Sequence, residues 1–204
     1  MKNTIKTIAF DLYNTLAKID RPQGVFIKIY KASKNGFNIS FKSYLRLIMT
    51  KDINMVFQQL PYEFELLYSN FSPMLLSEIK SVSLYQDTIQ TLNILSKDHQ
   101  LFLISNLASP YKKVVFDNHL DQYFDKLFFS CDMGTLKPSQ EIFQNVYQYT
   151  NSKPEEILMI GDSNKSDIIG AKQMDWQYLQ IRHGIIPKGN HQIMNLSEIV
   201  KFLN

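Results

Sequence analysis

The chain has 204 residues, 45% of them hydrophobic and 20% charged, with only 7 Gly and 7 Pro; this excludes a disordered or collagen-like polymer and fits one globular domain, or one domain with a sizeable insertion. A chain of this length buries roughly 70% of its unfolded surface, so it can fold alone. Its 22 basic and 19 acidic residues leave a net charge of +3, too nearly balanced for a nucleic-acid surface, and a single cysteine, Cys131, excludes an internal disulfide and points to a reducing compartment.

The N-terminal stretch MKNTIKTIAF lacks the long apolar core and cleavage site of an export signal, and about 18 uncharged apolar residues nowhere run together. A soluble, cytoplasmic protein with no membrane partner is expected. The first apolar run, Ile5 to Leu12, has the length and pattern of a strand buried on both faces. From about Ala17 to Ser83 the chain is rich in Phe, Tyr, Leu and Met at helical spacing, contains no clear strand, and is punctuated by Pro22, Gly36, Pro61 and Pro73. This reads as a helical insertion, long enough to form a lid. Its aromatic stripe, Phe57, Phe64, Leu67, Tyr68 and Phe71, reads as packing, and Lys28, Lys31 and Lys34 as a solvated helix face.

Beyond the insertion, helix-length segments alternate with short apolar runs. The helices are expected at Asp87 to Lys97, Tyr111 to Asn118, Ser139 to Thr150 and Asp167 to Met174, and the strands at Leu101 to Ile104, Lys126 to Phe129, Ile157 to Ile160 and Tyr178 to Ile181. A βαβα rhythm of this kind implies an α/β fold, a parallel sheet covered by helices. Ligands of such sheets bind beyond the carboxyl ends of the strands. There the sequence places Asp11, Tyr13, Asn14 and Thr15, then Ser105 and Asn106, then Lys137 ahead of a helix, then Gly161, Asp162, Ser163 and Asp167. Carboxylates, a hydroxyl with an amide, and a lysine at one edge form an inventory for holding a divalent metal and a charged oxyanion. Singly, each residue has a plain structural use: Asp11 in a turn, Ser105, Asn106 or Asp162 as helix caps, Lys137 in solvent. Outside that edge, Cys131 reads as a buried structural thiol, Trp176 as core, and His99, His119, His183 and His191 as surface or helix-end residues without ligand spacing.

Taken in order, Phe10-Asp11-Leu12-Tyr13-Asn14-Thr15-Leu16, Leu103-Ile104-Ser105-Asn106, Leu136-Lys137-Pro138 with Glu141-Ile142-Phe143, and Ile160-Gly161-Asp162-Ser163 through Asp167 to Gly170-Ala171 resemble the haloacid dehalogenase (HAD) superfamily. The resemblance runs from Thr4 to about Arg182. It implies a Rossmann-like three-layer core of parallel sheet and helices, residues 1–16 and 84–204, with a small helical cap, residues 17–83, inserted after the first strand. It implies catalysis by Asp11 as a nucleophile forming a covalent aspartyl intermediate. Mg²⁺ would be held by Asp11, the backbone carbonyl of Tyr13, and Asp162, with Asp167 supporting them and Lys137 balancing the remaining charge. Thr15, Ser105, the Asn106 N–H and Lys137 would hold phosphoryl oxygens. The expected partner is a small-molecule substrate, with no nucleic acid, and the expected assembly a monomer or homodimer.

Tyr13 departs from the phosphatase pattern, which carries a second Asp two residues after the nucleophile to protonate the leaving group; a phenol with an ordinary pKa of about 10 is a poor replacement. The 2-haloacid dehalogenases of the superfamily carry Tyr there, and Asn164 resembles their active-site Asn. Those enzymes, however, have Ser where this chain has Asp162, and only Arg46 in the insertion offers their carboxylate-binding cation. The sequence therefore implies a Mg²⁺-dependent phosphatase of a small phosphorylated metabolite. The alternatives are a 2-haloacid dehalogenase-like hydrolase and a metabolite-binding protein with degenerate catalysis.

Overall fold

A computed structural model of the chain describes residues 4–203; the first three residues of the basic N-terminal stretch, and Asn204, lie outside it. Strand β1 (Thr7–Phe10) is buried at every position. The later strands are β2 (Ala17–Ile19), β3 (Val82–Leu84), β4 (Gln100–Ser105), β5 (Lys126–Phe129), β6 (Ile157–Gly161), β7 (Gln177–Ile181) and β8 (Gln192–Ile193). Six of them form one sheet in the order β5-β4-β1-β6-β7-β8, with every pairing parallel. Such a sheet must be covered on both faces. Alternate residues do divide between two cores: Ile8, Phe10, Leu101, Leu103, Leu158 and Ile160 meet helices α5 (Thr88–Leu95) and α10 (Glu198–Leu203) on one side. Ala9, Phe102, Ile104, Ile157 and Met159 meet helices α8 (Gln140–Tyr147) and α9 (Ile169–Gln173) on the other. The result is the helix-covered parallel sheet that the alternation of apolar runs implies, in the Rossmann-like three-layer form that the resemblance implies.

The register places the chemistry. Phe10 pairs with both Leu103 of β4 and Ile160 of β6, so Asp11 emerges level with the carboxyl ends of its two neighbours. The chain runs outward from β1 through β4 to β5 and then crosses back to β6 on the opposite side of β1. Crossovers diverge at this point, which opens a crevice over β1 and β6.

Between β2 and β3 lie four helices, α1 (Val25–Ala32), α2 (Phe41–Thr50), α3 (Ile53–Gln59) and α4 (Tyr62–Lys80). They bury a core of their own in which Phe37 stacks on Tyr44, ring centroids 5.6 Å apart, and meets Phe64 edge-on at 5.5 Å. The stripe Phe57, Phe64, Leu67, Tyr68, Phe71 packs into that same core. Two expectations are corrected in this region. The insertion does contain strand at its ends, because β2 and β3 pair antiparallel, Ala17 opposite Leu84; at three residues each they are too short to show a period of two. Pro73 does not end a helix but lies inside α4. Its ring removes one backbone hydrogen bond, and burial of Leu75 and Ile79 on the following turn sustains the helix.

The core also refines two helices. Residues 109–112 form a 3₁₀ turn before the short helix α6 (Lys113–Asp117), and Asn164–Ile168 form a π turn before α9. The short helix α7 (Ser130–Met133) follows β5 directly. Strand β8 and helix α10 complete the chain beyond the last expected strand.

Candidate active site

Asp11 leaves β1 into a tight turn in which the Leu12 carbonyl accepts from the N–H groups of Thr15, Leu16 and Ala17. Asn14, at φ 59°, takes the left-handed position of that turn, one that Asn tolerates better than most residues. The Asp11 carboxylate is buried, and Lys137 Nζ donates to it at 2.6 Å. The same ammonium lies 2.6 Å from Asp167 Oδ1 and donates to the Ile104 carbonyl at 2.7 Å. Lys137 is thus fully buried with all three of its protons directed at named oxygens, which is the condition under which a buried cation is tolerated.

The loop carrying Lys137 is held by Asn106. Its Oδ1 accepts from the Lys137 N–H at 2.8 Å and its Nδ2 donates to the Lys137 carbonyl at 2.9 Å. The side chain of Asn106 therefore positions a backbone segment, while Ser105, the last residue of β4, is buried beneath it. Asp167 reaches inward from the π turn, and its Oδ2 accepts from the Ser163 N–H at 3.0 Å. Gly161 makes that position possible, since a Cβ there would collide with the Asp167 carboxylate. Carboxylate oxygens of Asp11, Asp162 and Asp167 all come within 4.8 Å of one another. Thr15 is fully buried, and its Oγ1 has no hydrogen-bond partner among the described residues.

The crowding of acids sets their protonation. Burial pushes the Asp11 carboxyl up to about 6; Lys137 opposes the rise, and Asp167 and Asp162 add to it. Asp162, half-buried, is also raised by burial and by Asp167, against the Asn14 amide and Lys137. Burial alone would lower the Lys137 ammonium, but Asp11 and Asp167 outweigh it and hold it above the ordinary lysine value. Burial, with Glu78 and Asp11 behind it, lifts the Tyr13 phenol well above its usual range. Its hydroxyl donates to the Tyr111 carbonyl at 3.3 Å.

Of the residues expected at the strand ends, Asp11, Lys137, Asp162 and Asp167 come together, Asn106 holds the Lys137 backbone and Tyr13 follows Asp11 in the same turn, while Thr15 and Ser105 are buried in the turn after β1 and at the end of β4. Of the residues that resemble dehalogenase positions, Arg46 and Asn164 are exposed. Cys131 is buried and its thiol is pushed up to about 12 by burial, and Trp176 is core. Two features had no signal in the sequence. His183 donates from Nε2 to the Thr15 carbonyl at 2.9 Å and stacks on Tyr85 with ring centroids 3.3 Å apart. Glu78 of α4 is 3% exposed, its Oε2 has no hydrogen-bond partner among the described residues, and its charge helps to raise the Tyr13 and Tyr111 phenols. An acidic residue on an amphipathic helix reads by default as solvated, and a contact spanning 168 residues leaves no local pattern.

Above Tyr13, between the crevice and the inserted helices, lies a cavity of about 210 Å³. Tyr13, Phe26, Leu45, Ile48, Met49 and Tyr111 supply much of its wall. The helices are tied to the core around it by Ser130 Oγ donating to the Met49 carbonyl at 2.7 Å and by the Ile53 N–H donating to Ser109 Oγ at 2.8 Å.

A family model for haloacid dehalogenase-like hydrolases matches residues 8–181. The chain belongs to that family of hydrolases. The glyceraldehyde 3-phosphate phosphatase of Pyrococcus furiosus is 27% identical to it over 203 residues, 88% of this chain and 82% of that protein. Among solved structures, a predicted phosphoglycolate phosphatase from Haemophilus somnus 129pt superposes with a TM-score of 0.70 at 18% identity, over 98% of this chain and 99% of that one. A Bacillus subtilis HAD-hydrolase-like protein solved with magnesium bound has a TM-score of 0.68 at 19% identity, over 98% and 99% of the two chains. At such identities the structural likeness speaks for the shared family fold, on which many substrates are handled. Among the described residues no helix is long and apolar enough to cross a membrane.

Proposed function

We propose that this chain is a Mg²⁺-dependent phosphatase that hydrolyses a small phosphorylated metabolite through an aspartyl-phosphate on Asp11. The observation that carries this reading is the buried Lys137 bridging Asp11 and Asp167, with Asp162 completing a set of three converging carboxylates. Three carboxylates against one ammonium leave two negative charges in excess, the amount that one divalent cation cancels. The donors are all hard oxygens, which suits Mg²⁺. Asp11, Asp162 and the Tyr13 carbonyl would hold the ion, with Asp167 behind them. Bound Mg²⁺ supplies charge neutralisation, so that an anionic nucleophile can approach an anionic phosphoryl group.

The chain's own residues do the rest. The Asp11 carboxylate attacks phosphorus, the P–O bond to the leaving group breaks, and water then cleaves the acyl phosphate to release phosphate and regenerate Asp11. Lys137 fixes the nucleophile's rotamer and carries positive charge beside the developing phosphoryl charge. Thr15 Oγ1, buried and without a partner among the described residues, has a proton to give to a phosphoryl oxygen. Ser105 and the Asn106 N–H complete that cradle. Tyr13, with a strongly held proton that is engaged by Tyr111, is a poor general acid, so turnover depends steeply on the leaving group. Residues 17–83 act as the cap over a core of 1–16 and 84–204.

The phosphatase activity of the Pyrococcus relative and the magnesium in the Bacillus structure support this reading. The dehalogenase reading is disfavoured by the third carboxylate beside Asp11 and by the exposure of Arg46, which leaves a haloacid carboxylate without a counter-charge. Assay of phosphorylated metabolites with and without Mg²⁺ tests the proposal: phosphate release only with metal is expected. Halide release from 2-haloacids without metal overturns it in favour of a dehalogenase, and metabolite binding without turnover in favour of a binding protein.

A further inference from the structure

We infer that the cavity beside Tyr13 is the subsite for the leaving group and that it selects a compact, uncharged, apolar one of about phenyl size. The inference deepens the phosphatase reading and rests on it for turnover. Tyr13, two residues after Asp11, and Asn106, whose amide holds the Lys137 backbone, both line the cavity, so it adjoins the place where Asp11 would attack. Its volume of about 210 Å³ compares with the roughly 150 Å³ of an apolar cavity that holds benzene.

No charged side chain lines it. The side-chain polar groups on its wall are turned to protein partners: the Asn106 amide grips the Lys137 backbone with its oxygen and its nitrogen, the Tyr13 hydroxyl donates to the Tyr111 carbonyl, and the Tyr111 hydroxyl is directed at the Glu78 carboxylate. A sugar or polyol would therefore bury hydroxyls without partners. A second anion, carboxylate or phosphate, would find no counter-charge in the lining, since Arg46 is exposed outside it, and the buried Glu78 carboxylate, whose charge is felt at Tyr13 and Tyr111, would repel it. Leu45, Ile48 and Met49 present an apolar face instead, and the Ser130 bond to Met49 fixes it in place.

Two measurements separate this inference from the reading beneath it. In calorimetry with Mg²⁺, phenylphosphonate should bind wild type about tenfold or more tighter than phosphonoacetate, the advantage expected for burying a ring against burying an unpaired charge. Leu45→Lys, which places a cation on the half-buried rim, should erase or reverse that order. Equal affinities in wild type, or no binding of either phosphonate, overturn the inference. In turnover, n-butyl phosphate should exceed glycerol 1-phosphate in kcat/KM by about tenfold, because two alcohols of similar leaving ability then differ mainly in hydroxyls left unpaired. Hydrolysis of both esters at equal or inverted kcat/KM overturns the inference alone. Absence of any ester hydrolysis, with the phosphonate preference intact, overturns the phosphatase reading and with it the leaving-group role, and leaves only the cavity's preference for a compact apolar group standing.

Discussion

The two walls of the cleft treat burial in opposite ways. On the sheet side, Asp11, Lys137 and Asp167 are charged, buried and tied to one another at 2.6 Å, with Asn106 and Ser163 fixing the surrounding backbone. On the cap side, Leu45, Ile48 and Met49 form an apolar face, and the buried acid behind Tyr13, Glu78, forms no ion pair among the described residues. A wall of paired charges is rigid and intolerant, because loss of one partner strands another in low dielectric. An apolar wall tolerates substitution of similar size and shape. Chemistry should therefore be sensitive to single changes on the first wall, and substrate choice to changes on the second.

The largest effect expected is on the sheet side. Asp11→Asn should lower phosphate ester hydrolysis by about four orders of magnitude or more while leaving the fold intact, because an amide is isosteric but hardly nucleophilic. Steady-state rates with circular dichroism check it, and near-normal turnover would remove Asp11 from the mechanism. Next comes Lys137→Met, which leaves Asp11 and Asp167 facing each other unpaired. Urea denaturation should show a loss of about 3–5 kcal/mol, the range for breaking a buried pair. Saturating Mg²⁺ should return part of it. A loss below about 1 kcal/mol, the range of a surface pair, would mean that the lysine is not the counter-charge its geometry makes it.

A smaller effect lies in pH. With the Asp11 carboxyl raised from its ordinary value to about 6, the folded state holds its proton more tightly than the unfolded chain. In metal-free protein the stability from this group is fully present below about pH 4 and is lost as pH rises through 6. Mg²⁺ competes with that proton. The gain in Tm on adding Mg²⁺ should accordingly be slight near pH 5 and several degrees near pH 7.5. A gain independent of pH would detach the metal from these carboxylates.

The smallest change belongs to the cap side. Glu78→Gln keeps the shape and removes a buried carboxylate that forms no ion pair among the described residues, so stability should hold or rise by about 1 kcal/mol. A loss greater than that would reveal that the carboxylate has a partner on which the cap depends, and the contrast between the walls would weaken.

Much of the sheet-side wall was legible in the sequence because Asp11, Asn106 and Asp162 each follow an apolar run, and parallel register brings run ends to one edge; Lys137 stood instead ahead of a helix. Asp11, Asn106 and Asp162 could be placed together from that rule before any coordinates. The cap side was not legible for a physical reason. Leu45, Ile48 and Met49 have the spacing of any helix that buries one face, so nothing local distinguishes a pocket lining from core. Pro73 misled because packing outweighed a local propensity, and β2 and β3 escaped because three residues carry no periodicity. Tyr13 was visible as a departure, but its bond to the Tyr111 carbonyl depends on how the loop after β4 folds back over β1.

The close approach of Asp167 to Gly161 has a consequence for how such sites decay. A chain could keep every acid, the lysine and the threonine, acquire a single methyl group at position 161, and read as an intact hydrolase to any inspection of its reactive residues. The added carbon would occupy the space of the Asp167 carboxylate, pushing it from Lys137 and from the Ser163 N–H together. In this architecture an empty volume is as much a component of the catalyst as any functional group, and it is the component that an inventory of side chains leaves uncounted.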